Sequence, residues 1–239
     1  TTPIEPHIGK DNYHLSEDLA DQAIKWIRQQ QTSTPDSPFF CYFAPPAVHA
    51  PHQVPKEWID KYLGAFDDGW DALREQIYKR QLNLGVIPEG TQLTPRPEQI
   101  PSWDSYPDRY KPVATRLMEV FAGFLAHTDA QIKRILDCIN ETGCADNTLV
   151  IYITGDNGAS AEGTVHGAWS APSFQNGVHE DPEWLLEHID DFGTNKCENH
   201  FNVGWAWALD APFQWMKQVA SHFGGTRNAM VMKLSLIHI

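Results

Sequence analysis

The chain has 239 residues, 41% hydrophobic and 21% charged, ordinary globular usage that excludes a disordered, collagen-like or coiled-coil protein. Lys and Arg number 18 against 31 Asp and Glu, a formal charge of -13 that repels phosphate backbones and, with no basic stripe, excludes a nucleic-acid reader. No apolar run approaches the roughly 20 residues of a membrane span, and a chain of this length buries roughly 70–75% of its unfolded surface without a disulfide scaffold.

In chain order, the first predicted element is a helix from Leu15 to Gln31. Ser16 serves as its N-cap, Glu17 and Asp18 suit its first turn, and Leu19, Ala23, Ile24 and Ile27 share a face. Thr32 to Pro38 carries turn chemistry. Phe39 to Ala44 is a continuous apolar run, predicted as a strand buried on both faces. Its exit, Pro45 to Pro55, contains four prolines and is not helical. Surface helices are predicted over Glu57 to Tyr62 and Asp71 to Leu82, and an irregular stretch over Pro88 to Pro112.

The strongest helix signal spans Thr115 to Ile139, where Leu117, Val120, Phe121, Phe124, Leu125, Ile132, Ile135, Leu136 and Ile139 recur at three- and four-residue steps. Thr148 to Ile153 is a β-branched strand that stops at Thr154-Gly155-Asp156-Asn157-Gly158. Ala159 to Ala211 reads as loop, with a short helix near Pro182 to His188. A helix is predicted over Trp215 to Ser221 and a third strand over Arg227 to Met232. Helices alternating with apolar strands give an α/β fold, a mostly parallel sheet flanked by helices on both faces. Ligands of such sheets sit beyond the carboxyl ends of strands, which singles out His49, Asp156 and Asn157.

Asp156-Asn157-Gly158 is a turn signal, and equally a carboxylate beside an amide oxygen, two hard ligands for a divalent cation. His49 lies among small residues and just before Pro51, a backbone stiff enough to hold an imidazole as a positioned acid. Lys217, with apolar neighbours and Gly224-Gly225 downstream, reads either as a point-charge anion binder or as a lysine snorkelling from an amphipathic helix. The four cysteines, Cys41, Cys138, Cys144 and Cys197, lack zinc-site spacing, and Cys138 and Cys144 are close enough in sequence to bridge in an oxidising compartment.

Three segments together resemble the sulfatase family, of the arylsulfatase type within the alkaline-phosphatase superfamily. They are Pro38 to Ala44 running on through Val48-His49-Ala50-Pro51-His52-Gln53-Val54-Pro55, then Thr154-Gly155-Asp156-Asn157-Gly158-Ala159, then Lys217 to Asn228. The resemblance implies an alkaline-phosphatase-like fold and metal-assisted hydrolysis of sulfate esters. It implies Ca²⁺ on Asp156 and Asn157, His49 binding sulfate and protonating the leaving oxygen, and Lys217 gripping sulfate oxygens. Phe223 stands where the family usually has Glu before Gly-Gly, and Val48 where it often has Pro.

The family's nucleophile is a formylglycine made from Cys or Ser in a Cys/Ser-x-Pro-x-Arg signature, and none of the four cysteines begins one. The chain therefore reads as an internal fragment, inactive alone, with residues 1–232 a partial catalytic domain. Residues 233–239 are expected to be a non-native tail, since Leu-Ser-Leu-Ile-His-Ile resembles a translated sequencing adapter. The implied partners are a sulfated small molecule or glycan, with no nucleic acid and no membrane span, and the implied location is the periplasm or the cell exterior. The competing readings are a phosphodiesterase or phosphonate monoester hydrolase of the same superfamily, and a catalytically dead glycan-binding relative.

Overall fold

The apolar stripes of the sequence are satisfied within two units of the computed structural model, which describes residues 5–234. One unit takes in the described chain up to Val48, Leu125–Val150 and the described residues from Met232; the other takes in His49–Phe124 and Ile151–Val231.

In the first unit, α1 (Leu15–Ser33) is capped two residues earlier than expected. The Nδ1 of His14 accepts from Ser16 N, so His14 and not Ser16 occupies the extended cap position. An imidazole lone pair replaces the hydroxyl in satisfying an orphan N–H. Ala20 and Ile27 of α1 pack on Ile135, Cys138 and Ile139 from the end of α4 (Lys111–Glu141). Each such aliphatic side chain contributes about 1.5–3 kcal/mol through removal from water. The predicted strand over Phe39 to Ala44 does not form. Its backbone is irregular, Phe39 and Phe43 turn onto the α1–α4 cluster, and Phe40 and Tyr42 are 85% and 82% exposed. Side chains of an extended chain alternate in direction, and no strand among the described residues pairs with this one. All four cysteines carry free thiols; Cys138 lies in the cluster, and Cys144 Sγ contacts Thr142 Oγ1 at 3.0 Å.

In the second unit, the core gathers around aromatic side chains. Trp70 of α3 (Gly69–Asn83) meets Trp103, Tyr106 and Trp205 edge-on or nearly so, with ring centroids 4.7, 5.1 and 5.5 Å apart. Trp70 and Trp205 donate their indole N–H groups to Pro101 O and Ala114 O. Gly204 lets α7 (Val203–Leu209) lie against Trp70, since a Cβ there would sit 2.4 Å from the indole. Likewise Gly123 lets α4 pass against α2 (Lys56–Ile59), where a Cβ would approach the Ile59 backbone to 2.9 Å. Within 159–211 the short helix expected near Pro182 to His188 forms as α6 (Pro182–Glu187), capped by Asp181 with Pro182 at its first position, and the expected loop also contains α5 (Ala171–Gln175).

The sheet corrects the fold expectation. Among the described residues it has two strands, β1 (Val150–Ile153) and β2 (Met230–Lys233). Thr154 N donates to Ala229 O at 3.2 Å, joining the exit of β1 to the entry of β2, the register of an antiparallel pair. Ile151, Ile153, Met230 and Val231 are each more than half exposed, so no helical layer covers them. A mostly parallel sheet with helices on both faces is not what these residues build among themselves. The helix expected over Trp215 to Ser221 is also absent: Trp215 and Gln218 take φ of +65° and +77°, which breaks helical continuity, and the helix there is α8 (Phe223–Thr226). Of the expected tail, Lys233 closes β2 and residues 235–239 lie outside the described part. No described helix is long and apolar enough to cross a membrane.

Candidate active site

Three loops of the second unit carry the residues singled out by sequence. The first follows the prolines of Pro45 to Pro55. Its anchor is His52, buried against Phe121, Phe201 and His200 at 5.1–5.4 Å between ring centroids. Desolvation, with the nearby rings of His200 and His49, holds His52 far below the usual histidine range, so it packs as a neutral ring. His49, three residues earlier, is exposed. Its Nδ1 lies 2.8 Å from Ala50 O and donates to it, which leaves the Nε2 lone pair pointing away from the chain's own carbonyl.

The second loop leaves β1 through Asp156-Asn157-Gly158. The third runs from α7 to α8 and carries Lys217. Backbone bonds stitch the two together: Gly158 N donates to Gly225 O at 3.2 Å, and Lys217 N to Ala159 O at 3.0 Å. Gly158 is required, since a Cβ there would stand 1.7 Å from Gly224 O. Ala159 N donates to Asp210 Oδ1 at 3.0 Å. Burial pushes the Asp210 carboxyl up to about 8, against the downward pull of that N–H and of Arg74. Arg74, itself buried, donates to Trp207 O, to Thr94 Oγ1 at 2.8 Å and to Phe213 O at 2.7 Å, fixing the entry to the third loop.

This framework brings Lys217 and His49 together across 168 residues of sequence, with Nζ 3.4 Å from Nε2. The ammonium donates and the imidazole accepts. The lysine stem is mostly buried, its side chain 18% exposed, so the alternative of a snorkelling lysine on a helix is overturned by the turn that carries it. On its other side Nζ lies 3.6 Å from Glu162 Oε2. Burial pushes the Glu162 carboxyl up, but the Ser160 hydroxyl, the Lys217 ammonium and the His200 and His49 rings outweigh it and hold Glu162 below the usual carboxylate range. His200, buried beside His52, is lowered to about 4 by desolvation. An ammonium and an imidazole side by side, backed by one carboxylate, can seat an anion and pass a proton to it.

Asp156 is exposed, and Asn157 is half-buried with Nδ2 donating to Gly158 O, which leaves its amide oxygen as the acceptor end. Their donor chemistry suits a hard divalent cation. Two oxygens, however, are short of the 6–8 that Ca²⁺ takes, and the described residues contain no cluster of three or more His, Cys, Asp or Glu able to hold a metal. The pair fits as part of a coordination shell and no more. His52 lay inside the proline-framed motif, but Glu162 and His200 had no readable signal in the sequence: each is an isolated polar letter whose role depends on what packs around it.

The Sulfatase family profile matches residues 2–235. An uncharacterized sulfatase of Schizosaccharomyces pombe is 31% identical over 234 residues, 97% of this chain and 40% of that protein. An arylsulfatase of Klebsiella aerogenes is 30% identical over 217 residues, 90% of this chain and 44% of that protein. The chain thus spans less than half the length of the curated relatives it matches.

Proposed function

Since the chain belongs to the sulfatase family, we propose that it supplies the acid and the anion-gripping side of a site that hydrolyses sulfate esters. The observation that carries this reading is the 3.4 Å contact between Lys217 Nζ and His49 Nε2. A sulfate ester presents non-bridging oxygens with negative charge beside one bridging oxygen that must leave. Lys217, its side chain 18% exposed, takes a non-bridging oxygen as a point charge. Freed of the lysine, His49 Nε2 carries a proton and donates it to the bridging oxygen as the S–O bond breaks. The Nδ1–H bond to Ala50 O holds the ring in the orientation this requires.

Asp156 and Asn157 would hold a divalent cation, Ca²⁺ by the chemistry of their oxygens. When bound, such an ion offsets charge on the sulfate. The nucleophile, a formylglycine in this family, does not arise from any of the four cysteines here, so this chain expressed alone turns over no aryl sulfate. The substrates in view are aryl sulfates and sulfated glycans, met in the periplasm or outside the cell.

The test is a leaving-group series in the full-length protein. His49→Ala is expected to lower kcat about 10²–10⁴-fold for phenyl sulfate and far less for 4-nitrophenyl sulfate, whose leaving group needs no proton. An equal loss for both would remove the acid role. Preference for bis(4-nitrophenyl) phosphate over both sulfates would instead favour a phosphodiesterase, and retention of glycan without turnover a dead binding relative.

A further inference from the structure

Glu162 is a charged residue only 6% exposed, and nothing in the proposed hydrolysis asks for a third charge beside Lys217 and His49. Its surroundings are built around its carboxylate. Ser160 Oγ donates to Oε2 at 2.9 Å and Gln218 Nε2 to Oε1 at 3.2 Å, while Glu162 N donates to Ser160 Oγ at 3.2 Å. The next residue, Gly163, sits so close to Phe201 that a Cβ would be 1.9 Å from its carbonyl oxygen. The backbone beside Glu162 is thus pressed against Phe201, and the Ser160 and Gln218 hydrogen bonds hold the carboxylate itself. Lys217 Nζ lies 3.6 Å from Oε2, and its own backbone is tied to Ala159 O three residues before Glu162. A long, flexible ammonium is thereby held at its root by a backbone bond and at its tip by a fixed charge, with His49 Nε2 on the far side.

We propose that Glu162 is a positioning residue, which aims the Lys217 ammonium at the sulfate oxygens beside His49 without itself touching the ester. The proposal rests on the reading of Lys217 and His49 given above. It has a specific kinetic signature. A carboxylate behind the lysine competes for the ammonium and repels an incoming anion, so it does not strengthen ground-state binding. Its contribution is orientation, expressed as the S–O bond breaks. A loss of folded enzyme would also lower apparent kcat at constant KM, but it would persist in the Lys217→Ala background, whereas a loss that acts through the lysine vanishes there.

The experiment uses the full-length protein and 4-nitrophenyl sulfate, with Glu162→Gln, Lys217→Ala and the double variant. Glu162→Gln keeps the shape and removes the charge. It is expected to lower kcat about 30-fold with KM unchanged or lower, and to add no further loss in the Lys217→Ala background. Full activity in Glu162→Gln, or losses that multiply in the double variant, would overturn the proposal while leaving Lys217 in place. If Lys217→Ala itself left kcat/KM unchanged, the reading of the lysine would fall first and this inference with it. Should Glu162→Gln not fold, Ser160→Ala removes a hydroxyl that fixes Oε2 and leaves the charge. A loss of about threefold that disappears in Lys217→Ala then supports the proposal, and undiminished activity refutes it.

Discussion

At the scale of single residues, the second unit separates histidines by environment rather than by type. His49 lies in solvent against an ammonium, whereas His52 and His200 face each other between phenylalanine rings. Burial holds His200 at about 4, so between pH 6.5 and 4 the unfolded chain binds a proton that the folded ring refuses. The stabilisation is therefore complete above 6.5 and is lost as pH falls to about 4, amounting to about 3 kcal/mol. Asp210, pushed up to about 8, runs the opposite way, losing stability as pH rises from the ordinary carboxylate value. The His200 contribution is best isolated by NMR: its ring should titrate with a midpoint near 4, and a midpoint of 6–7 would show a solvated ring. Nothing in the letters around His49, His52 and His200 separates the exposed ring from the buried pair, because burial is a property of what packs around them.

At the scale of elements, the stripes were legible and the loops were not. The periodicity over Thr115 to Ile139 anticipated α4, which extends four residues further at its start and two at its end. Leu117, fully buried on that stripe, should cost about 2–5 kcal/mol when truncated in Leu117→Ala, read from urea unfolding. By contrast α7 escaped notice because Val203 to Leu209 is apolar on every side and buried, leaving no polar face to reveal a period. The stitching of the two site loops yields a sharper test. Gly158→Ala must push its Cβ into Gly224 O, separating Lys217 from Ala159, and should destabilise by about 2–3 kcal/mol. Gly177, unlike Gly158, has a positive φ, yet nothing lies within 4 Å of a Cβ there. Gly177→Asn should therefore stay within about 0.5 kcal/mol of wild type. Equal losses at the two glycines would mean that close approach is not what Gly158 provides.

At the scale of the whole molecule, the formal charge of -13 favours solubility, yet β1 and β2 hold Ile151, Ile153, Met230 and Val231 more than half exposed. Exposed apolar strands invite pairing with other chains. Ile153→Lys is expected to reduce binding of an apolar dye such as ANS and to slow aggregation, with the unfolding free energy changed by less than about 0.5 kcal/mol. An unchanged dye signal would mean that these strands are not the sticky surface. The same exposure explains why the expected sheet did not appear: apolar β-branched letters announce burial, but the residues that would bury them are not among those described here.

The sequence by itself determined the helices with a sustained apolar stripe, the turn at Asp156-Asn157-Gly158, the rigid proline-framed setting of His49 and the family to which the chain belongs. All of these depend on interactions within a few residues of chain, or on a pattern of letters. Only the tertiary structure decided that Lys217 sits on a turn rather than a helix, that its ammonium meets an imidazole 168 residues away, and that Glu162 stands behind it. Such contacts arise where loops close on one another through backbone bonds and glycine-width approaches, and local periodicity carries no record of them.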